Sequence, residues 1–118
     1  MHLLNRSSLV LSPKQAYLDW VKNLPLDTAE KPADLADLQL QTAIYLIDEI
    51  EQESQLVSAV DANWRDILSN ELSIWDEFLD ESPQMTRAVF DDFFTVRVQL
   101  VVADASSGAL MRADLNVD

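Results

Sequence analysis

The chain has 118 residues, 48 % of them apolar, with three Trp and four Phe; this suffices for one hydrophobic core and is too apolar for intrinsic disorder. Its 21 acidic and eight basic side chains give a net charge of −13, which repels nucleic acid and anionic lipid and attracts basic partners. The absence of cysteine excludes disulfides, thiolate metal sites and thiol nucleophiles, and no apolar run approaches the ~18 residues of a membrane-spanning helix.

Residues 1–11 hold no apolar stretch long enough for a signal sequence, so a soluble cytoplasmic protein is expected. Residues 6–11 read as a strand with Leu9, Val10 and Leu11 as its apolar body. Ser12-Pro13-Lys14-Gln15 has the form of a helix start: Ser12 as cap, Pro13 in the first turn, Gln15 completing a capping box. Ala16, Tyr17, Trp20, Val21 and Leu24 follow at helical spacing, and Pro25 closes the helix. A linker holding Pro25 and Pro32 leads to a helical turn over 34–40, with Leu35 and Leu38 inward. Residues 42–47 then have the β-branched and aromatic content of a buried strand.

Residues 50–79 place apolar side chains at 56, 57, 60, 64, 67, 68, 72, 75, 78 and 79, a sustained 3.6-residue period. On an unbroken helix Glu71 projects into that stripe, between Leu68, Leu72 and Trp75. A break near Ser69-Asn70, with Asn70 capping a second helix, moves Glu71 into a first turn where acid is favourable, and that arrangement is the one expected. Trp64 and Trp75 are expected to be largely buried. Ser82-Pro83 repeats the cap-then-proline start, and Met85, Val89, Phe90 and Phe93 line a further helix. From Phe94 the period becomes two, Ala105-Ser106-Ser107-Gly108 form a turn, and Met111, Ala113, Leu115 and Val117 alternate with polar residues, a hairpin pattern. The expectation is one domain, 1–118, of α+β class. Its mainly antiparallel sheet of about four strands draws on residues 6–11, 42–47, 94–104 and 109–117, with helices packed on one face and a β-hairpin at the end.

Arg6-x-Ser8-x-Val10-x-x-Pro13-Lys14-Gln15-x-x-x-Asp19-Trp20, together with Ile44-Tyr45-Leu46, Glu71-Leu72-x-x-Trp75 and Phe90-x-x-Phe93, resembles a family of short acidic uncharacterised bacterial proteins. The resemblance reaches to about residue 95 and departs at Glu81-Ser82-Pro83, where relatives carry a Trp-Pro element. It implies a single bacterial domain and transfers no catalytic residue.

The charge is concentrated. Residues 34–92 hold fifteen acids against two basic residues, Arg65 and Arg87. Asp76-Glu77-x-x-Asp80-Glu81 sets carboxylates at i, i+4 twice over on one helix, where solvent, a basic partner or a hard cation such as Ca²⁺ or Mg²⁺ relieves their repulsion. Asp48-Glu49-x-Glu51-x-Glu53 reads similarly and also suits a helix start, and Asp91-Asp92 reads as the polar side of a helix end. Glu71 is the one acid placed for burial, which raises a carboxyl pKa unless the group is paired. The lone histidine is His2 and the lone glycine Gly108, so the usual histidine base and phosphate-cradling loop are both missing. No cofactor and no catalytic residue is assigned.

The expected function is a non-enzymatic interaction module whose acidic face, 34–92, docks a basic protein through Asp48, Glu49, Asp76, Glu77, Asp80 and Glu81, without contacting nucleic acid or membrane itself. One version is a DNA mimic. Residues 48–81 would carry one net charge per ~5 Å as a single helix, against one per ~1.7 Å in duplex DNA, so imitation needs further acids folded alongside. The alternative is a carboxylate-only divalent-metal protein or enzyme centred on Asp76, Glu77, Asp80 and Glu81.

Overall fold

The computed structural model describes residues 1–115. Its sheet is organised around β2 (Arg6–Pro13), which pairs antiparallel with β3 (Ile44–Asp48) on one side and β4 (Phe94–Gln99) on the other. The register sets Leu9 opposite both Tyr45 and Val98, Leu11 opposite Val96, and Pro13 opposite Phe94, so these side chains share one face. Leu9, Leu11 and Phe94 are buried there, whereas Ile44, Leu46, Thr95 and Arg97 on the other face are exposed. This is the alternation of a sheet covered on one side.

β1 (His2–Leu4) and β5 (Val102–Asp104) form a second, two-stranded antiparallel ribbon. Its register continues that of β2 with β4, slipped by one residue. Asn5, Arg6 and Ser7 lie between Leu4 and Ser8, while the facing chain has only Leu100 and Val101 between Gln99 and Val102. An extra residue on one strand is a β-bulge, and it leaves backbone groups to be satisfied elsewhere. Ser7 supplies the closure. Fully buried, its Oγ accepts the Ile50 N–H at 3.0 Å and donates to the Leu100 carbonyl at 3.0 Å.

Among the described residues four α-helices cover the inner face: α1 (Gln15–Lys22), α2 (Leu35–Leu40), α3 (Leu56–Trp75) and α4 (Arg87–Phe93). Tyr17, Leu18 and Val21 from α1, Leu38 from α2, Ile67, Leu68 and Leu72 from α3, and Phe90 and Phe93 from α4 form one buried cluster with Leu9, Leu11 and Phe94. Tyr17 stacks on Phe93 at 5.3 Å between ring centroids and meets Phe94 edge-on at 4.9 Å. Arg87 ties α4 to α3 by pairing with Asp61 as well as Asp91. Among the described residues no helix is long and apolar enough to cross a membrane.

The class is α+β, antiparallel, with helices on one face, as the periodicities imply. Boundaries differ where side chains found other partners. β2 runs on through Ser12 and Pro13, because Pro13 pairs with Phe94 and the Lys14 N–H continues the ladder to the Phe93 carbonyl at 2.8 Å. Lys14, not Ser12, therefore precedes α1, and the Gln15 side chain donates to Asp19 instead of closing a capping box. Thr86, not Ser82, caps α4, accepting the Val89 N–H. α3 is unbroken from 56 to 75, without the break expected at Ser69-Asn70. Trp64 and Trp75 are half-buried, not largely buried: Trp64 packs on Phe90 and lies under the Arg65 guanidinium, and Trp75 reaches Tyr17.

The terminal strands also pair differently from the expected hairpin. β4 and β5 follow one another but lie against β2 and β1, so 94–104 is paired before 109–117 is reached. The turn after β5 forms, with Asp104 Oδ1 accepting the Ser106 N–H and Ser106 Oγ the Gly108 N–H. Residues 109–115 carry no regular secondary structure, and 116–117 lie outside the described residues.

Replacing Ser7 by Ala should cost about 1–3 kcal/mol, the usual consequence of leaving buried backbone groups unsatisfied. Urea unfolding measures it; a loss under about 0.5 kcal/mol would show that the hydroxyl does not close the bulge.

Candidate functional site

Asp76 ends α3 by turning its carboxylate onto the chain ahead. Its Oδ1 accepts the Asp80 N–H at 3.2 Å, and its Oδ2 accepts the Glu81 N–H at 2.8 Å and the Ser82 hydroxyl at 2.7 Å. This is the local side-chain-to-backbone bonding by which Asp competes with helix continuation. The helix expected through 79 stops at Trp75, and Leu79 adopts φ 59°, a left-handed conformation rare for a branched aliphatic residue. Trp20 of α1 anchors the far side, its Nε1 donating to the Glu81 carbonyl at 3.0 Å.

The consequence is a held loop. Leu79 turns toward the core as a half-buried neighbour, and Phe78 is left 77 % exposed. Glu77, Asp80 and Glu81 are exposed on either side of it. The four carboxylates do not occupy i, i+4 rows of one helix, as their spacing suggested, because the helix has ended before them. Asp76 is committed to the backbone, and among the described residues no group of three or more His, Asp or Glu is placed to hold a metal ion. Phe78, read in the sequence as one more core position, is the residue the periodicity misplaced; Asp76 six residues before the Ser82-Pro83 pair is the signal that marks the turn.

Asp48 and Glu49 are exposed at the end of β3, apart from the 76–82 loop in the sequence and on a different element. A groove links the two regions, running along the outer edge of β3 against α3. Asp48 and Ile50 line one end, Leu46, Ile47 and Asn63 the middle, and Asp66, Glu77 and Leu79 the other end. Beyond β3 the acids Glu51 and Glu53 precede α3, where negative charge suits the helix dipole.

Glu71 is fully buried in the middle of α3. Its Oε1 accepts the Tyr45 hydroxyl at 2.6 Å and the Ala43 N–H at 3.0 Å, while Oε2 has no hydrogen-bond partner. Tyr45 accepts in turn from the Asn70 amide at 2.9 Å, which is where the expected helix cap is engaged. Tyr17 donates to the Glu71 backbone carbonyl at 3.3 Å and accepts from Trp75 Nε1 at 3.0 Å. Burial pushes the Glu71 carboxyl above the usual carboxylate range, opposed by the hydrogen bonds it accepts from Tyr45 and Ala43. Burial, and then the adjacent Glu71 charge, lifts both tyrosines above the ordinary phenol range. Tyr45 and Asn70 line the groove, but Glu71 itself does not, so its carboxyl faces core and not a ligand-sized opening.

Of the fifteen acids between 34 and 92, thirteen are exposed. Among the described residues only Asp61 and Asp91 have an ion-pair partner, Arg87 in both cases. Comparison with protein-family models, with curated proteins and with solved structures found no match to this chain.

The burial of Glu71 sets a pH dependence. A folded-state pKa raised above the ordinary value favours the protonated carboxyl, so its contribution to stability is full at low pH and is lost as pH rises from about 4.5 through the folded value. Glu71→Gln keeps an acceptor for Tyr45 and Ala43 without the charge. Urea midpoints from about pH 4 to about pH 8 should therefore drift in favour of the Glu71→Gln chain as pH rises, and a difference independent of pH would show that ionisation of this carboxyl is not opposed by burial.

Proposed function

We propose that this chain is a cytoplasmic interaction module that docks a basic protein through the 76–82 loop. Phe78 is the apolar anchor, and Glu77, Asp80 and Glu81 are the charged rim. The observation that carries this reading is an aromatic side chain 77 % exposed among carboxylates, on a loop whose backbone is held by Asp76 and Trp20. Buried apolar anchors inside a polar rim dominate protein–protein affinity, and aromatic residues lead among them. Holding the loop before binding spares the ordering cost of association. Backbone strain of the kind seen at Leu79 is concentrated at such functional segments. The segregated acids supply long-range attraction and set the sign of the partner. The resemblance to short acidic bacterial proteins is compatible with this role.

The geometry favours docking at a local anchor over imitation of a DNA duplex. Along the twenty residues of α3 only Asp61 and Asp66 expose carboxylates, far sparser than one charge per ~1.7 Å. Asp48, at the far end of the groove, and Glu49 after it contribute to the field and not to the anchor.

The test is capture of basic proteins from native cell extract on the immobilised chain, followed by titration of the purified partner. Binding should weaken steeply with salt, since the Debye length falls from ~10 Å at 0.1 M to ~3 Å at 1 M. Phe78→Ala should weaken the purified pair by about 10-fold or more, and combined Glu77→Gln, Asp80→Asn and Glu81→Gln should slow association, with folding unchanged in both. Equal affinity of both variants and the parent chain would remove this loop as the docking site.

A further inference from the structure

Among the described residues the outer edge of β3 is open: in the order β3-β2-β4 it has a neighbour on one side only, and an edge with unpaired N–H and C=O groups is a template for another strand. The groove between this edge and α3 is already lined by two residues of the chain's own C-terminal segment: Arg112 at the Asp48 end and Leu115 at the Tyr45 end. Both are exposed, so the segment rests on the groove without filling it. We propose that the β3 edge is a strand-addition site and that residues 109–115 are its occupant, laid antiparallel to β3 as a further strand of the sheet.

Direction, spacing and alternation agree. Going from Arg112 to Leu115 the segment passes from the Asp48 end to the Tyr45 end, opposite to the run of β3. The members of each pair are three positions apart, and at ~3.3 Å per residue in both strands the two lengths match. In β3 Tyr45 and Ile47 face the core and Ile44, Leu46 and Asp48 face outward. In the added strand Met111, Ala113 and Leu115 share one face and Arg112 and Asp114 the other. Leu115 then lies on the side of Ile67 and Leu79, and Arg112 on the side of Asp48, a cation beside an acid. Met111 and Leu115, now 88 % and 76 % exposed, gain burial. The same alternation that suggested a hairpin with 94–104 is thus satisfied at a different edge. This inference concerns the β3 edge and stands independently of the 76–82 loop.

Two measurements on the full chain test it. In a strand, successive N–H groups point to opposite sides, so one of the two amides at 113 and 114 must face β3. Introduced singly, Ala113→Pro and Asp114→Pro should differ: one should speed amide exchange within Ile44–Asp48 by about tenfold and the other should change it little. Unchanged exchange in both overturns the proposal. Because the chain has no cysteine, Asp114→Cys accepts a single nitroxide label. It should broaden the amide signals of β3 most and those of β4 least, since β2 lies between them. Broadening confined to β4 or β5, or of no particular strand, overturns strand addition at this edge.

Discussion

Glu71 places a carboxyl group inside the core and satisfies it from another element: the Ala43 N–H and the Tyr45 hydroxyl meet its Oε1. That pair decides two things together. It fixes the rotation of α3, since the stripe of Ile67, Leu68 and Leu72 turns inward around it. It also fixes the entry of β3, since the amide just before Ile44 is held at the helix and not at a neighbouring strand. Tyr17 and Trp75 extend the same group of bonds to α1, so three elements meet at one turn of α3. A buried polar cluster of this kind constrains geometry more than it adds stability, because the unpartnered Oε2 and the opposed ionisation offset part of the gain.

The second organising feature is the ladder between the two halves of the chain. β1 and β2 run against β5 and β4 with one extra residue, and Ser7 absorbs that residue by bonding Ile50 and Leu100. The serine hydroxyl reaches the segment just after β3, so the bulge, the end of β3 and the β4–β5 connection are tied at one atom. A small hydroxylated side chain suits a fully buried position with backbone groups to pair.

The strongly negative charge coexists with this core because it is kept outside it. Exposed carboxylates are solvated and screened, and Asp61 and Asp91 gain a shared cation in Arg87. Asp76 belongs to the structure more than to the surface. By taking the Asp80 and Glu81 amides it converts the end of a helix into a loop, and the loop turns Phe78 outward while Leu79 goes in. One acid thus leaves Phe78 exposed, with the other three acids beside it.

Much of the fold was legible in the chain. The two-residue alternation from Phe94, the β-rich 42–47 and the long 3.6-residue period identified the antiparallel α+β class, because periodicity reports which side of an element is buried. The acidic segment and Glu71 as the one acid placed for burial were legible for the same reason. What a one-dimensional pattern does not contain is the choice among partners that lie far apart in sequence. Ser12 and Asn70 had the form of helix caps, yet Phe94 claimed Pro13 beside Ser12 and Tyr45 claimed Asn70; Ser82 was taken locally, by Asp76 six residues before it. Residues 109–117 alternated like a strand, but β1 and β2 had already taken the strands expected to receive them. The sequence by itself determined which residues prefer burial and where the charge lies, and it holds the local Asp76 turn that exposes Phe78; tertiary structure alone decided the pairing of strands and the engagement of Asn70 and Tyr45, because hydrogen bonds across 25 residues or more outweigh local preferences of similar size.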